Sequence, residues 1–132
     1  MRLGGRDMIL GTGIDIIEIR RIEKVFDSEK KKMRIFTERE IEEADPNNIS
    51  RLSGFYASKE AFAKALGTGI RGIAFRDIEV LKDKAGKPYI NKEKVSPLVK
   101  EIFQVADFTI HLTISHDREK AIAMVILEEG VK

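Results

Sequence analysis

The chain has 132 residues, 42% of them hydrophobic and 35% charged, with a formal net charge of +2. That length suits one domain able to bury its own core, and so near a charge balance makes no case for nucleic acid from totals alone. Cysteine is absent, which excludes a disulfide framework and a thiolate zinc site and fits a reducing cytoplasm.

The opening MRLGGRDM is basic but lacks the apolar region of a signal peptide, and no apolar run approaches the roughly 20 residues that span a bilayer. Met8 to Ile16 reads as a buried strand, with Ile9, Leu10, Ile14 and Ile16 around Gly11 and Gly13. Glycines inside a strand often mark close approach by another backbone or a ligand. Gly11-Thr12-Gly13 lacks the third glycine of a dinucleotide fingerprint. Asp15, flanked by isoleucines at a strand end, is costly to bury unless paired, capped or bound to a cation. It is either the N-cap of the next helix or a metal ligand, or both.

From Glu18 to Phe26, Ile19, Ile22 and Phe26 form the apolar stripe of a short helix. Its other face carries Arg20, Arg21 and Lys24, a basic surface suited to steering an acidic partner unless it is merely solvated. Lys30-Lys31-Lys32 and Arg34 extend that character. Thr37-Glu38-Arg39-Glu40 has the spacing of a capping box and predicts a helix carrying Ile41 and Ala44. Asp45-Pro46-Asn47-Asn48 breaks it.

The central helix follows from about Ile49. Leu52, Phe55, Phe62 and Leu66 recur at helical spacing on its inward face. Glu60 and Lys64 stand four apart on one strip, among Ala57, Ala61, Ala63 and Ala65. Such a pair can simply stabilise an exposed helix, by roughly 0.2–0.5 kcal/mol. Gly67-Thr68-Gly69 ends the helix.

Beyond Gly69 the pattern turns toward strands: Ile78 to Leu81, a turn at Asp83 to Lys87, and a partner strand at Pro88-Tyr89-Ile90. Ser96-Pro97 reads as the cap and first position of a helix with Leu98, Val99, Ile102 and Phe103. Phe108 to Ser115 and Ala121 to Leu127 are strands joined as a hairpin through His116 to Lys120. His111 and His116, five apart, face opposite sides of a regular strand, which disfavours a two-histidine metal site. Ser115-His116-Asp117 cannot form a hydrolase triad, because sequential neighbours cannot take its relayed geometry. The chain is therefore expected to be one α+β domain, with a mostly antiparallel sheet, a long central helix and shorter helices.

Asp15 and Glu60, on separate elements, could share one hard cation such as magnesium, whose oxygen coordination is commonly completed by water and substrate phosphates. Lys64 could place a further positive charge beside those phosphates. Sequence spacing alone does not show that Asp15 meets Glu60.

The words GIDI with a following Arg-Ile, ASKEAFAKALGTGI, GKPY, and HLTISHD with a trailing AIAMV resemble, in this order, the acyl-carrier-protein synthase branch of the phosphopantetheinyl transferases. The resemblance runs from Met8 to about Leu127, so residues 1–7 read as an N-terminal extension. It implies the phosphopantetheinyl transferase fold and transfer of 4′-phosphopantetheine from coenzyme A to a serine of an acyl carrier protein. Adenosine 3′,5′-bisphosphate is the other product, and a place in fatty acid biosynthesis follows. By motif, Asp15 and Glu60 would bind magnesium, and Lys64 would contact phosphate or assist proton transfer. Glu60 or a metal-bound water would serve as general base. Gly67, Gly69, Ser115 and His116 would join Lys64 in holding the coenzyme, and Arg21, with Arg20 and Lys24, would meet the carrier. The resembled enzymes are homotrimers with active sites between subunits, an expectation to which the β-branched late strands lend modest support. One departure stands out: where relatives often have Arg, five residues before the glutamate, this chain has Phe55, and Arg51 is the possible substitute.

A competing reading is a non-catalytic basic module for an acidic protein or RNA; its RNA form lacks the stacking aromatics of an RNA-binding sheet. A third is another magnesium-dependent phosphoryl-group enzyme. The transferase reading predicts no membrane partner and no nucleic acid.

Overall fold

The computed structural model describes residues 8–45, 48–67 and 73–130. Strand β1 (Ile9–Glu18) runs into the short helix α1 (Ile19–Val25), followed by α2 (Glu29–Ile35) and α3 (Glu38–Glu43). The long helix α4 (Ile49–Leu66) comes next, then a single 3-10 turn at Phe75–Asp77. After it come β2 (Val80–Lys82), β3 (Pro88–Ile90), α5 (Lys92–Phe103), β4 (Phe108–His116) and β5 (Lys120–Glu129). Among the described residues every strand pairing is antiparallel: a three-stranded sheet in the order β1-β5-β4 and the two-stranded ribbon β2-β3. The α+β expectation and the long central helix are borne out.

Helix α4 lies across the inner face of the main sheet, and its Ala61 and Ala65 meet two glycines of β1. A β-carbon on Gly11 would stand 2.0 Å from the Ala65 carbonyl oxygen, and one on Gly13 would stand 1.9 Å from that of Ala61. Only glycine permits that approach, which brings the helix backbone almost onto the strand. Leu52, Phe55, Phe62 and Leu66 are buried as their spacing predicts, each such burial contributing roughly 1.5–3 kcal/mol. Asn48 caps the start of α4 through the Arg51 N–H. Gly67, in the left-handed conformation at φ 79°, ends it.

The start of the chain departs from its expectation. Ile14 and Ile16 are 54% and 59% exposed, because the glycine face of β1, not the isoleucine face, turns toward α4. Asp15 is no helix cap: it pairs with Ala123 inside the strand, and Glu18 occupies the cap position. The helix expected to open at Ser96-Pro97 begins earlier, at Lys92 after Asn91, and Pro97 lies inside it. The apolar stripe starts at Val95, two residues before the proline. As the sixth helical residue, Pro97 lies past the four free N–H groups, so its missing donor costs one rung of the ladder, to the Glu93 carbonyl. Strand β2 is displaced to Val80–Lys82, and α2 forms where only a basic run was expected, capped by Ser28 on the Lys31 N–H.

The capping box at Thr37 is present in both directions, Thr37 accepting from the Glu40 N–H and Glu40 accepting from the Thr37 N–H. Aspartate 117 forms the β4–β5 turn by accepting from the Glu119 and Lys120 N–H groups at 2.8 Å. These backbone donors hold its carboxyl below the usual range. The Glu119 carbonyl in turn accepts from Ile19 N–H at 2.8 Å, tying the start of α1 to that turn.

Candidate active site

Successive odd positions of β1 face α4, so the residue after Gly11 and Gly13 on that face is Asp15. On α4, Ala61 and Ala65 meet the glycines, and Glu60 and Lys64 lie one position beside them. The close helix–strand contact thereby delivers Asp15 to the Glu60–Lys64 strip. The Lys64 ammonium donates to Asp15 Oδ1 at 3.1 Å and to the Ile14 carbonyl at 3.0 Å. Lys64 Nζ thus spans from the helix to the strand edge rather than closing the i,i+4 pair with Glu60.

Burial pushes the Glu60 carboxyl above the usual range, and the neighbouring Asp15 carboxylate adds to this; Lys64 and Arg21 pull the other way. Two carboxylates held together at a partly buried site repel, and a cation between them relieves that repulsion. Among the described residues no cluster of three His, Asp or Glu side chains is placed to hold a metal. The donor set of Asp15 and Glu60 therefore fits a hard cation that draws its remaining ligands from water and phosphate.

The other expected residues fall in three places. Arg20, Arg21 and Lys24 are exposed on α1. Arg21 lines a hollow with Ile16, Ile17, Glu18 and Lys120, and its charge reaches Glu60. Ser115 and His116 line a second hollow with Ile16, Asp117, Lys120 and Ile122 at the far end of β4. Ser115 shares the outward sheet face with Ile16 and Ile122, opposite the face that carries Asp15. Within one chain, then, the structure gathers Asp15, Glu60 and Lys64 and leaves Ser115 on the opposite face, while His116, paired with Ala121, stands on the Asp15 face at the end of the sheet. Gly67 is the exposed end of α4, and Gly69 lies outside the described residues.

Phe55 packs in the core at 2% exposure. Arg51 stands nine residues before Glu60, about 13 Å along the helix axis, so it is not brought to the carboxylate pair.

A profile of the 4′-phosphopantetheinyl transferase superfamily matches residues 11–125. The chain belongs to this superfamily. It is 47% identical over 124 residues to the holo-[acyl-carrier-protein] synthase of Clostridium tetani, covering 92% of this chain and 97% of that protein. A holo-(acyl-carrier-protein) synthase from Bacillus anthracis, solved in complex with CoA (3′,5′-ADP), superposes with a TM-score of 0.76 at 41% identity. That match covers 93% of this chain and 99% of the other. The Neisseria meningitidis synthase gives 0.79 at 34% identity, over 92% and 100% of the two chains.

This phosphopantetheinyl transferase carries two polar features beside the expected set. Lys59, next to Glu60, is fully buried. Its ammonium donates to Glu40 Oε1 at 2.9 Å and to the Phe75 and Ile78 carbonyls at 2.7 Å each. Burial lowers its pKa to about 8, against the support of Glu40. Burial likewise raises Glu40, which Lys59 and the Val80 and Thr37 N–H groups counter. The lysine ties α3 and the 3-10 turn to α4 at the residue before Glu60. The other feature is Tyr56, one turn before Glu60. A lysine at an inward helical position and a tyrosine beside a known strip are the signals that sequence offered for them.

Proposed function

We propose that the protein is a holo-[acyl-carrier-protein] synthase, moving 4′-phosphopantetheine from coenzyme A to a serine of an apo acyl carrier protein. One observation carries the reading: Asp15, Glu60 and Lys64 converge across the β1–α4 contact in a chain that matches the transferase superfamily over residues 11–125. The serine oxygen bonds to the pantetheine-bearing phosphorus as the pyrophosphate bridge breaks. Adenosine 3′,5′-bisphosphate leaves with the bridging oxygen and its electron pair.

Asp15 and Glu60 would hold magnesium, which, when bound, neutralises pyrophosphate oxygens and spreads the developing charge. Lys64, already reaching over Asp15, adds an ammonium to the same phosphates. Glu60, with its raised pKa, is the proton acceptor the chain itself offers for the serine hydroxyl. The exposed basic face of α1 is the side from which an acidic carrier would be steered.

We read the chain as one transferase domain, since one hydrophobic cluster joins residues of β1, the helices and both late strands, and, from its lack of cysteine, as a cytoplasmic protein. We also read it as a homotrimer. The outward sheet face supports this, with Ile14, Ile16 and Met124 exposed together. A face of that kind is an expected subunit contact. It would also explain Ser115, which stands on that face and could serve the coenzyme site only across a subunit boundary.

The test is to incubate the protein with magnesium, coenzyme A and apo carrier protein and weigh the carrier. A gain of one phosphopantetheine, abolished in Asp15→Ala and in Glu60→Ala, is expected. No gain, or near-normal transfer by either variant at limiting magnesium, rejects the reading or its shared site.

A further inference from the structure

Between α1 and α2 runs a groove with an apolar floor of Val25, Phe26, Ile35 and Tyr56 and a rim of Arg34 and of Lys31, the latter paired with Asp27 at 3.1 Å. Tyr56 belongs both to this groove and to the carboxylate strip. Its ring is wedged between Phe26 at 5.8 Å and Phe75 at 5.7 Å, which fixes the direction of the side chain. Its place on α4, four residues before Glu60 and eight before Lys64, sets it on the same strip, one turn nearer the groove.

The phenol feels Glu60, Arg21 and Asp15, so it lies within electrostatic reach of the carboxylate pair. Burial and Glu60 both push its pKa up, which keeps the hydroxyl protonated and a donor. Tyrosine hydroxyls in partly buried settings usually find a hydrogen-bond partner. Among the described residues the hydroxyl makes no hydrogen bond, and no buried side-chain polar atom is left unsatisfied. The donor is therefore open to an incoming group.

We propose that Tyr56 is an acceptor-positioning residue, its hydroxyl donating a hydrogen bond to the carrier polypeptide beside the serine and so aligning that serine with Asp15 and Glu60. The inference rests on the transferase reading above. The carrier, rather than the coenzyme, is the recipient because Tyr56 opens into the groove whose rim carries Arg34. That charge complements an acidic protein, and the apolar floor complements the apolar face of one of its helices.

Tyr56→Phe keeps the ring and removes only the donor. Loss of one hydrogen bond predicts a three- to tenfold rise in KM for the carrier, by the usual net worth of such a bond, about 0.5–1.5 kcal/mol. The KM for coenzyme A and the Tm should stay within error of the parent, while kcat at saturating carrier falls as the serine loses its alignment. An unchanged carrier KM overturns the proposal. So does a defect shared equally by the coenzyme KM, or one accompanied by a lowered Tm, since a packing role would produce either. Binding of apo carrier with its serine replaced by alanine, followed by titration calorimetry, gives a second reading, and equal affinity for parent and variant again overturns it. A parent that transfers nothing to any carrier removes the transferase reading itself, and this inference with it; an active parent with an unaffected variant removes the inference alone.

Discussion

The Ala61 carbonyl oxygen lies 1.9 Å from where a β-carbon of Gly13 would be. That contact sets the height of α4 over β1, and the height decides whether Lys64 and Glu60 can reach Asp15. Gly13→Ala must push backbone against backbone, with no flexible side chain to yield. Overpacking in a core typically costs about 1–3 kcal/mol, and a clash with main chain belongs at or beyond the upper end. Urea denaturation should show a loss of about 3 kcal/mol. Transfer should fall more than stability at temperatures where the variant is still folded, because the carboxylate pair is displaced. A variant with parental stability and activity would show that the contact does not set the site.

Lys59 offers a second test, of the buried polar network. Removing one partner of a buried ion pair leaves the other charge stranded, at a cost of about 3–5 kcal/mol. Lys59→Met should therefore be severely destabilising. Adding Glu40→Gln should recover a large part of the loss, since the amide oxygen can still accept from the Val80 N–H while the stranded charge is gone. A double variant no more stable than Lys59→Met would mean that the Phe75 and Ile78 carbonyls, not the ion pair, are what the lysine serves.

These two residues also mark what the sequence could and could not disclose. Periodicity placed α4, its inward Phe62 and Leu66 and its stop at Gly67, because burial and the left-handed cap leave direct traces in residue type. The capping box at Thr37 was legible for the same reason: two side chains satisfy two backbone donors at fixed spacing. Lys59 was legible only in part: it falls on the inward Leu52–Phe55–Phe62–Leu66 stripe, which marks it as buried, but nothing local names the two carbonyls and the carboxylate that satisfy it. Ile14 and Ile16 misled in the opposite sense. Hydrophobicity says that a residue seeks cover, and it does not say whether this chain or another copy supplies it. Pro97 misled through its preference for the first helical turn, which the apolar stripe from Val95 overrides. The site itself was half legible: spacing put Glu60 and Lys64 on one strip, and the meeting with Asp15 depended on a glycine contact between distant segments.

Glu60 yields a prediction with a definite sign. Its folded pKa lies above the ordinary 4.5, so folding takes up a proton between the unfolded and folded values. Stability then declines as pH rises through that window. Metal-free Glu60→Gln should have a higher Tm than the metal-free parent at neutral pH, the gap closing toward about pH 4 as the parent carboxyl protonates in both states. Thermal scans of both proteins in chelator, across pH, provide the measurement. An unchanged or lowered Tm at neutral pH would show that the site does not strain this carboxylate.

Lys64 acts on the same group from the other side, holding the Glu60 pKa down. Lys64→Ala should raise that pKa further, so the acid limb of the kcat/KM profile should move to higher pH, besides any fall in the plateau. A profile lowered in height with its acid limb in place would confine Lys64 to phosphate contact.

The outward sheet face carries the last prediction. In the β1–β5 register Ile14 stands opposite Met124, and Ile16 opposite Ile122. Ile14 and Ile16 are more than half exposed in a single chain, so a charge at Ile16 should leave the isolated fold intact. At a subunit contact the same charge must be buried without a partner, at a cost of several kcal/mol per interface. Light scattering at micromolar concentration should therefore report about three chains for the parent and a smaller mass for Ile16→Glu, with far-ultraviolet circular dichroism unchanged. If Ser115 serves the coenzyme across this boundary, the dissociated variant should also lose coenzyme A binding, and Ile14→Glu, which lies outside the hollow that Ile16 shares with Ser115, should lose it as well. Full parental mass in Ile16→Glu would place the interface elsewhere. A fully active monomeric parent would show that one chain builds the whole site.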